Sequence, residues 1–193
     1  RGKQVPRQFV AVLSPEAREP FKKGSGRLEL AEKITSKSNP LTPRVIANRI
    51  WMHHFGKPLV STPSDFGQRC EQPVQHELLD YLAATLIEDD WSIKALHRTI
   101  LLSAAYRQQS IQRDEAYAID PDNHLIWRMN RKRFEFEPLR DSMLYVSGEL
   151  DLAVGGKSVD ITKAPFSKRR AVYGYIDRQD LPNLFRAFDF ASP

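Results

Sequence analysis

Residues 73–104 read PVQHELLDYLAATLIEDDWSIKALHRTILLSA, and this stretch decides the fold. Leu78, Leu79, Leu82, Ala83 and Leu86 recur at the spacing of one helix face, which predicts a helix over 73–89 with that stripe buried. Asp89-Asp90-Trp91 interrupts it. Ser92 is then a good N-cap for a further helix whose stripe is Ile93, Leu96, Ile100, Leu101 and Ala104, with Trp91 placed to staple the first turn. Two amphipathic helices across so short a break predict a helical hairpin or corner. Its expected core is Leu79, Leu82, Leu86, Leu96, Ile100 and Leu101.

Working outward, a helix over 42–56 is punctuated by Thr42 as N-cap, Pro43 at the first helical position and Gly56 at the stop. Ile46, Ile50 and His54 share one of its faces; Ala47, Trp51 and Phe55 share the next. A short helix over 27–36 ends before Asn39-Pro40. Pro6, Pro15 and Pro20 make 1–26 an extended arm. Towards the other end, a helix is expected over 138–147, stopped by Gly148, and a short one over 181–188. Residues 171–176, with valine and two tyrosines, form the best candidate strand, with 160–162 as a hairpin partner. The expected architecture is mainly α: a compact helical domain over 27–193 with a helical hairpin core and a minor β element near the C-terminus.

Composition narrows the functional classes. The chain has 193 residues, 41% of them hydrophobic, and a mean hydropathy of −0.49, with no apolar run long enough for a membrane span. Cys70 is the one cysteine, which excludes a disulfide framework within the chain, a Cys-rich zinc site and covalent CxxCH haem. The net charge of +5 is uneven: +8 over 1–57, −6 over 58–127 and +3 over 128–193. Complementary faces within one fold account for such asymmetry without a polyanionic partner. The chain opens Arg1-Gly2-Lys3 rather than on methionine, so it is expected to be a piece of a longer protein.

No motif assembles a complete catalytic signature. Asp65-Phe66-Gly67 lacks the other kinase elements, and Gly24-Ser25-Gly26 lacks the GK[ST] ending of a phosphate loop. His54 and His97 each lie on an apolar helix face, where a buried histidine with a satisfied ring is expected. His76 and Asp80, at i and i+4, are compatible with two metal ligands, but a surface pair is the better reading because a structural zinc site needs four. Arg128, Arg131, Arg133, Glu135, Glu137, Arg140 and Asp141 form the most ordered charge pattern, with Trp127, Phe134 and Phe136 among them. An anion or nucleic-acid patch is one reading. Interleaved carboxylates repel phosphate, so a structural salt-bridge network is favoured and nucleic acid is not the expected partner.

Four segments carry a family resemblance: GSGRLELAE (24–32), NPLTPRVIANRIWMHHFGKPLV (39–60), WSIKALHRTILLSAAYRQ (91–108) and DPDNHLIWRMNRKRFEFEPLRDSMLYVSGELD (120–151). In these, the chain resembles the Planctomycete-specific domain of unknown function (PSD), over nearly its whole length. The resemblance implies an exported parent protein, periplasmic or at the cell surface, that carries a cytochrome c domain. Haem is then expected in that other domain and no cofactor in this chain. It supplies no catalytic residues to carry over. The family usually reads Gly-Glu-x-Pro and then Ser/Thr-His-Pro; here Cys70-Glu71-Gln72-Pro73-Val74-Gln75-His76 puts Gln75 at the family histidine and His76 at its proline.

The leading expectation is a non-catalytic helical module that packs or docks against other domains of the same parent protein. The alternatives are an enzyme domain using a pair of carboxylates, with polysaccharide as the substrate class considered, and weak anion or nucleic-acid binding.

Overall fold

Asn39-Pro40 sets the frame of the molecule by starting its longest helix. A computed structural model describes residues 2, 5–14, 18–177 and 179–188. The helices are α1 (Arg27–Ile34), α2 (Leu41–Phe55), α3 (His76–Glu88), α4 (Ile93–Leu102), α5 (Ala104–Arg107), α6 (Asp114–Ile119), α7 (Phe136–Val146) and α8 (Asn183–Arg186). Short 3-10 turns cover Ala11–Leu13 and Ala171–Tyr173. No described helix is long and apolar enough to cross a membrane. The chain divides into two compact units, 1–131 and 132–193. Of the expected arm, Arg1, Lys3, Gln4 and residues 15–17, Pro15 among them, lie outside the described residues.

In the first unit, the cap expected at Thr42 is supplied instead by Asn39. This buried side chain accepts from Leu41 N at 3.0 Å and donates to Ile34 O at 3.1 Å, tying the end of α1 to the start of α2. Gly56 stops α2 in the left-handed region (φ 77°), its N–H bonded to Met52 O. Asn48, wholly buried within α2, reaches sideways: its Oδ1 accepts from Leu59 N (2.8 Å) and Val60 N (2.9 Å), and its Nδ2 donates to Val60 O (3.2 Å). That amide pins the segment after α2 onto the helix.

Ala47, Ile50, Trp51 and Phe55 of α2 meet Leu79, Leu82 and Leu86 of α3 and Leu96 and Ile100 of α4 in one core. Trp51 and Phe55 stack with ring centroids 3.8 Å apart. The broadest helix contact is α2 on α3. The corner between α3 and α4 puts Asp90 (φ 50°) and Trp91 (φ 61°) in the left-handed region, with Trp91 N bonded back to Leu86 O. Ser92 caps α4, accepting from Ala95 N. Leu101, expected in the core, is 37% exposed: it lies about 100° round α4 from Ile100, off the face on which Leu96 and Ile100 are buried.

The second unit packs Phe136 of α7 edge-on against Phe185 of α8 (centroids 4.9 Å), with Ile161, Ala171 and Leu181 around them. Here the expected β element is overturned. Among the described residues there is no strand, only isolated bridges at Asp151/Arg169 and Val159/Gly174, both parallel. Two local features explain why 171–176 does not extend. Tyr173 N and Gly174 N bond back to Arg170 O and Ala171 O, curling the segment into a 3-10 turn, and Gly174 passes so close to Ile161 that an added Cβ would lie 2.6 Å from Ile161 Cδ1. The proposed hairpin partner is turned away as well, because Asp160 Oδ1 accepts from Thr162 N and Lys163 N. Tyr175 N does bond to Val159 O at 2.8 Å, but the pairing goes no further.

Candidate functional site

Three places gather the chemistry-bearing residues. The first is a cleft of about 370 Å3 in the first unit, floored by Val60, Phe66 and Leu79 and rimmed by Arg44, His76 and Asp80. Helix α3 sets His76 and Asp80 one turn apart, and α2 presents Arg44 across from them. Arg44 Nε donates to Asp80 Oδ1 at 2.6 Å while its Nη1 donates to Pro40 O. That hydrogen bond holds the Asp80 carboxyl below the ordinary carboxylate range, against a smaller opposing push from desolvation. Asp80 is thus engaged by a guanidinium. Cys70, also on the cleft, points its thiol to Glu71 O. Among the described residues, no three His, Cys, Asp or Glu side chains come together as a metal set.

The second place was hidden by 43 residues of sequence separation. His54 of α2 and His97 of α4 are both half-buried, and His54 Nε2 lies 2.7 Å from His97 Nδ1. One ring donates and the other accepts, so the pair fixes opposite tautomeric roles. Tyr106 packs edge-on against His54 at 5.7 Å. This contact fastens α2 to α4 at the edge of the core.

The third place is the charged pattern 128–141, in which Arg133 and Arg140 bind main chain. Arg133 Nη2 donates to Ala187 O at 2.8 Å and lies over Phe188. Arg140 donates to Ser167 O and to Arg169 O, and its Nη1 sits 3.3 Å from Asp141 Oδ1. Asp141 accepts from Ala171 N at 2.8 Å and lies 3.9 Å from Arg170 Nε. Arg169 donates to Lys157 O, Ala153 O and Gly155 O and covers the Tyr173 ring at 4.3 Å. The structure therefore brings Arg140, Asp141 and Arg170 together around a carboxylate that orders residue 171. Among the described residues of the second unit, Glu135 and Glu137 form no ion pair with Arg140, Arg169 or Arg170. The Arg128 guanidinium lies over the Trp127 ring, its Cζ 5.0 Å from the centroid.

Beside this network the second unit exposes apolar surface. Helix α7 buries only Phe136, while Met143 (66% exposed), Tyr145 (71%) and Val146 (86%) face outward. Tyr145 and Val146 border an open groove of about 790 Å3 with Val172 and Ile176 on its other side. Runs of large apolar side chains left in water mark contact surfaces more often than catalytic ones.

The buried polar residues Asn39, Asn48, Asp120 and Asn123 escaped the sequence reading. Asn39 carried a signal only as part of the Asn39-Pro40 break. Burial by itself raises the Asp120 carboxyl, and hydrogen bonds from Leu125 N (2.7 Å) and His124 N (2.9 Å) outweigh it, leaving the group below its ordinary range.

The family described as PSD1, protein of unknown function (DUF1553), matches residues 26–193. No curated protein and no solved structure matches the chain.

Proposed function

The chain belongs to the PSD1 family of proteins of unknown function, and from that premise we propose that it is a non-catalytic helical module that docks against other domains of its parent protein. The parent, in this reading, is exported to the periplasm or cell surface and carries its haem in a separate cytochrome c domain. The observation that carries the docking role is the exposed apolar face of α7 with Tyr145 and Val146 beside an open groove. Domains of one chain commonly meet through mixed surfaces, apolar at the centre and polar at the rim.

The polysaccharide-enzyme reading is weaker on the same geometry. A glycosidase general acid needs a carboxyl held above its ordinary range. On the first-unit cleft, Asp80 is instead held below it by its hydrogen bond from Arg44. The nucleic-acid reading is weakened because Arg133, Arg140 and Arg169 donate to main-chain carbonyls. The test of docking is a Tyr145→Asp, Val146→Asp variant of the parent protein. Loss of interdomain cross-links with helical content unchanged supports the proposal; cross-links at the wild-type level contradict it.

A further inference from the structure

The groove of the second unit is lined along one side by α7, through Glu137, Asp141 and Tyr145 and the residue that follows each of them. These pairs recur at every turn, so the groove follows the helix axis from its first turn to its last. Its charge is unbalanced at one end. Arg140 and Arg170 both approach Asp141, at N–O distances of 3.3 and 3.9 Å. Glu137 stands one turn earlier and is half-buried, and its carboxylate makes no ion pair or hydrogen bond among the described residues of the second unit. A carboxylate that has lost part of its water without gaining a partner is completed best by an incoming cation.

The opposite wall, Val172, Gly174 and Ile176, carries an unfinished edge. Gly174 is extended (φ −64°, ψ 136°), and Val159 pairs with it in parallel, donating to Tyr173 O and accepting from Tyr175 N. That bridge uses the main-chain groups of 173 and 175, so those of 174 and 176 face the other way. Gly174 N is taken by Ala171 O within the 3-10 turn. Gly174 O, Ile176 N and Ile176 O bond to nothing among the described residues. An open edge of this kind is a template for a further extended chain, whose main chain supplies affinity and whose alternate side chains supply specificity.

The lengths of the two walls set a spacing. From Glu137 to Tyr145 the helix rises about 12 Å, at roughly 1.5 Å per residue. An extended chain covers that distance in about four residues, and residues four apart fall on the same face. At the far end Tyr145, Val146 and Val172 are exposed and offer an apolar seat. We infer that the groove receives an extended segment of the parent protein that pairs with the 174–176 edge. That segment carries a lysine or arginine for Glu137, about four residues from a bulky apolar side chain for Tyr145 and Val146. The inference rests on the docking reading above and names the occupant of that surface.

The experiment titrates the 15N-labelled chain with the capped peptide Lys-Thr-Val-Thr-Leu, whose lysine and leucine share one face, and with Gln-Thr-Val-Thr-Leu as its neutral control. The Ile176 amide resonance is expected to move saturably with the basic peptide, and its exchange with solvent to slow. The basic peptide should bind at least about tenfold more tightly than the neutral one, which is about 1.4 kcal/mol. Glu137→Gln should abolish that preference and leave the affinity for the neutral peptide unchanged, an outcome that a misfolded variant does not give. Equal affinity for the two peptides, binding that leaves Ile176 in place, no response to either, or a preference for Glu-Thr-Val-Thr-Leu would overturn the inference. Association with the separately purified remainder of the parent protein is measured in parallel. If Glu137→Gln leaves it at wild-type strength while Tyr145→Asp with Val146→Asp abolishes it, docking stands and this occupant is wrong. If the wild-type chain does not associate while the basic peptide still binds, docking is wrong and the specificity of the groove stands.

Discussion

Replacing Asn48 with alanine removes the side-chain amide that hydrogen-bonds residues 59–60 to α2. Asn48 is completely buried, and its amide satisfies Leu59 N, Val60 N and Val60 O at 2.8, 2.9 and 3.2 Å. Val60 is 2% exposed, so its N–H and C=O lose their partner where water does not replace it. Each such group costs about 1–3 kcal/mol, whereas the half-buried Leu59 N–H can turn to solvent at small cost. The expected destabilisation is about 3 kcal/mol, a large share of the roughly 5–15 kcal/mol that holds a domain together. With a urea slope of about 2 kcal/mol per molar, the unfolding midpoint should fall by about 1.5 M. Far-UV circular dichroism and tryptophan emission, which reports on the buried Trp51, are the paired probes. A midpoint lowered by less than about 0.3 M would refute the reasoning, because the amide would then not be the anchor of this turn.

Three further outcomes follow from the packing and the charges. Leu96→Ala, at a fully buried position between α3 and α4, should cost about 2–5 kcal/mol in the same denaturation assay. Gly174→Ala should destabilise the second unit by about 1–3 kcal/mol, since the new Cβ would meet Ile161 Cδ1 at 2.6 Å and Ala171 O at 2.9 Å; its readout is loss of amide-exchange protection in 132–188. The depressed Asp120 carboxyl favours the folded state once the unfolded group is ionised, above about pH 4, and that contribution is lost as pH falls through the still lower folded value. Asp120→Asn should therefore be less stable than wild type at pH 7, with the gap narrowing as thermal melts are taken down to about pH 3.

The helices of the first unit were legible because burial there follows periodicity. The stripes of 41–55 and 76–88 have the helical period and are mostly buried, whereas on the stripe of 93–102 only Leu96 and Ile100 are, with Ile93 and Leu101 exposed. Leu101 was misplaced because the stripe was drawn too wide: it sits about 100° from Ile100, beyond the buried face of Leu96 and Ile100. The strand expected over 171–176 failed because its valine and tyrosines are β-favouring in isolation, while the main chain there is governed by a 3-10 turn and by Ile161 pressing on Gly174. The charge pattern 128–141 was visible as composition, but sequence does not show that Arg133 and Arg140 bind carbonyls at 187, 167 and 169. Pairings over long separations, such as His54 with His97 and Arg44 with Asp80, left no local signal at all.

Docking is tested most directly by sedimentation of the purified chain mixed with the separately purified remainder of its parent protein. The account predicts a one-to-one complex that loosens as salt rises and is weakened by Tyr145→Asp with Val146→Asp. Two components that sediment independently at micromolar concentration, together with turnover of a glycan by the chain alone, would contradict it.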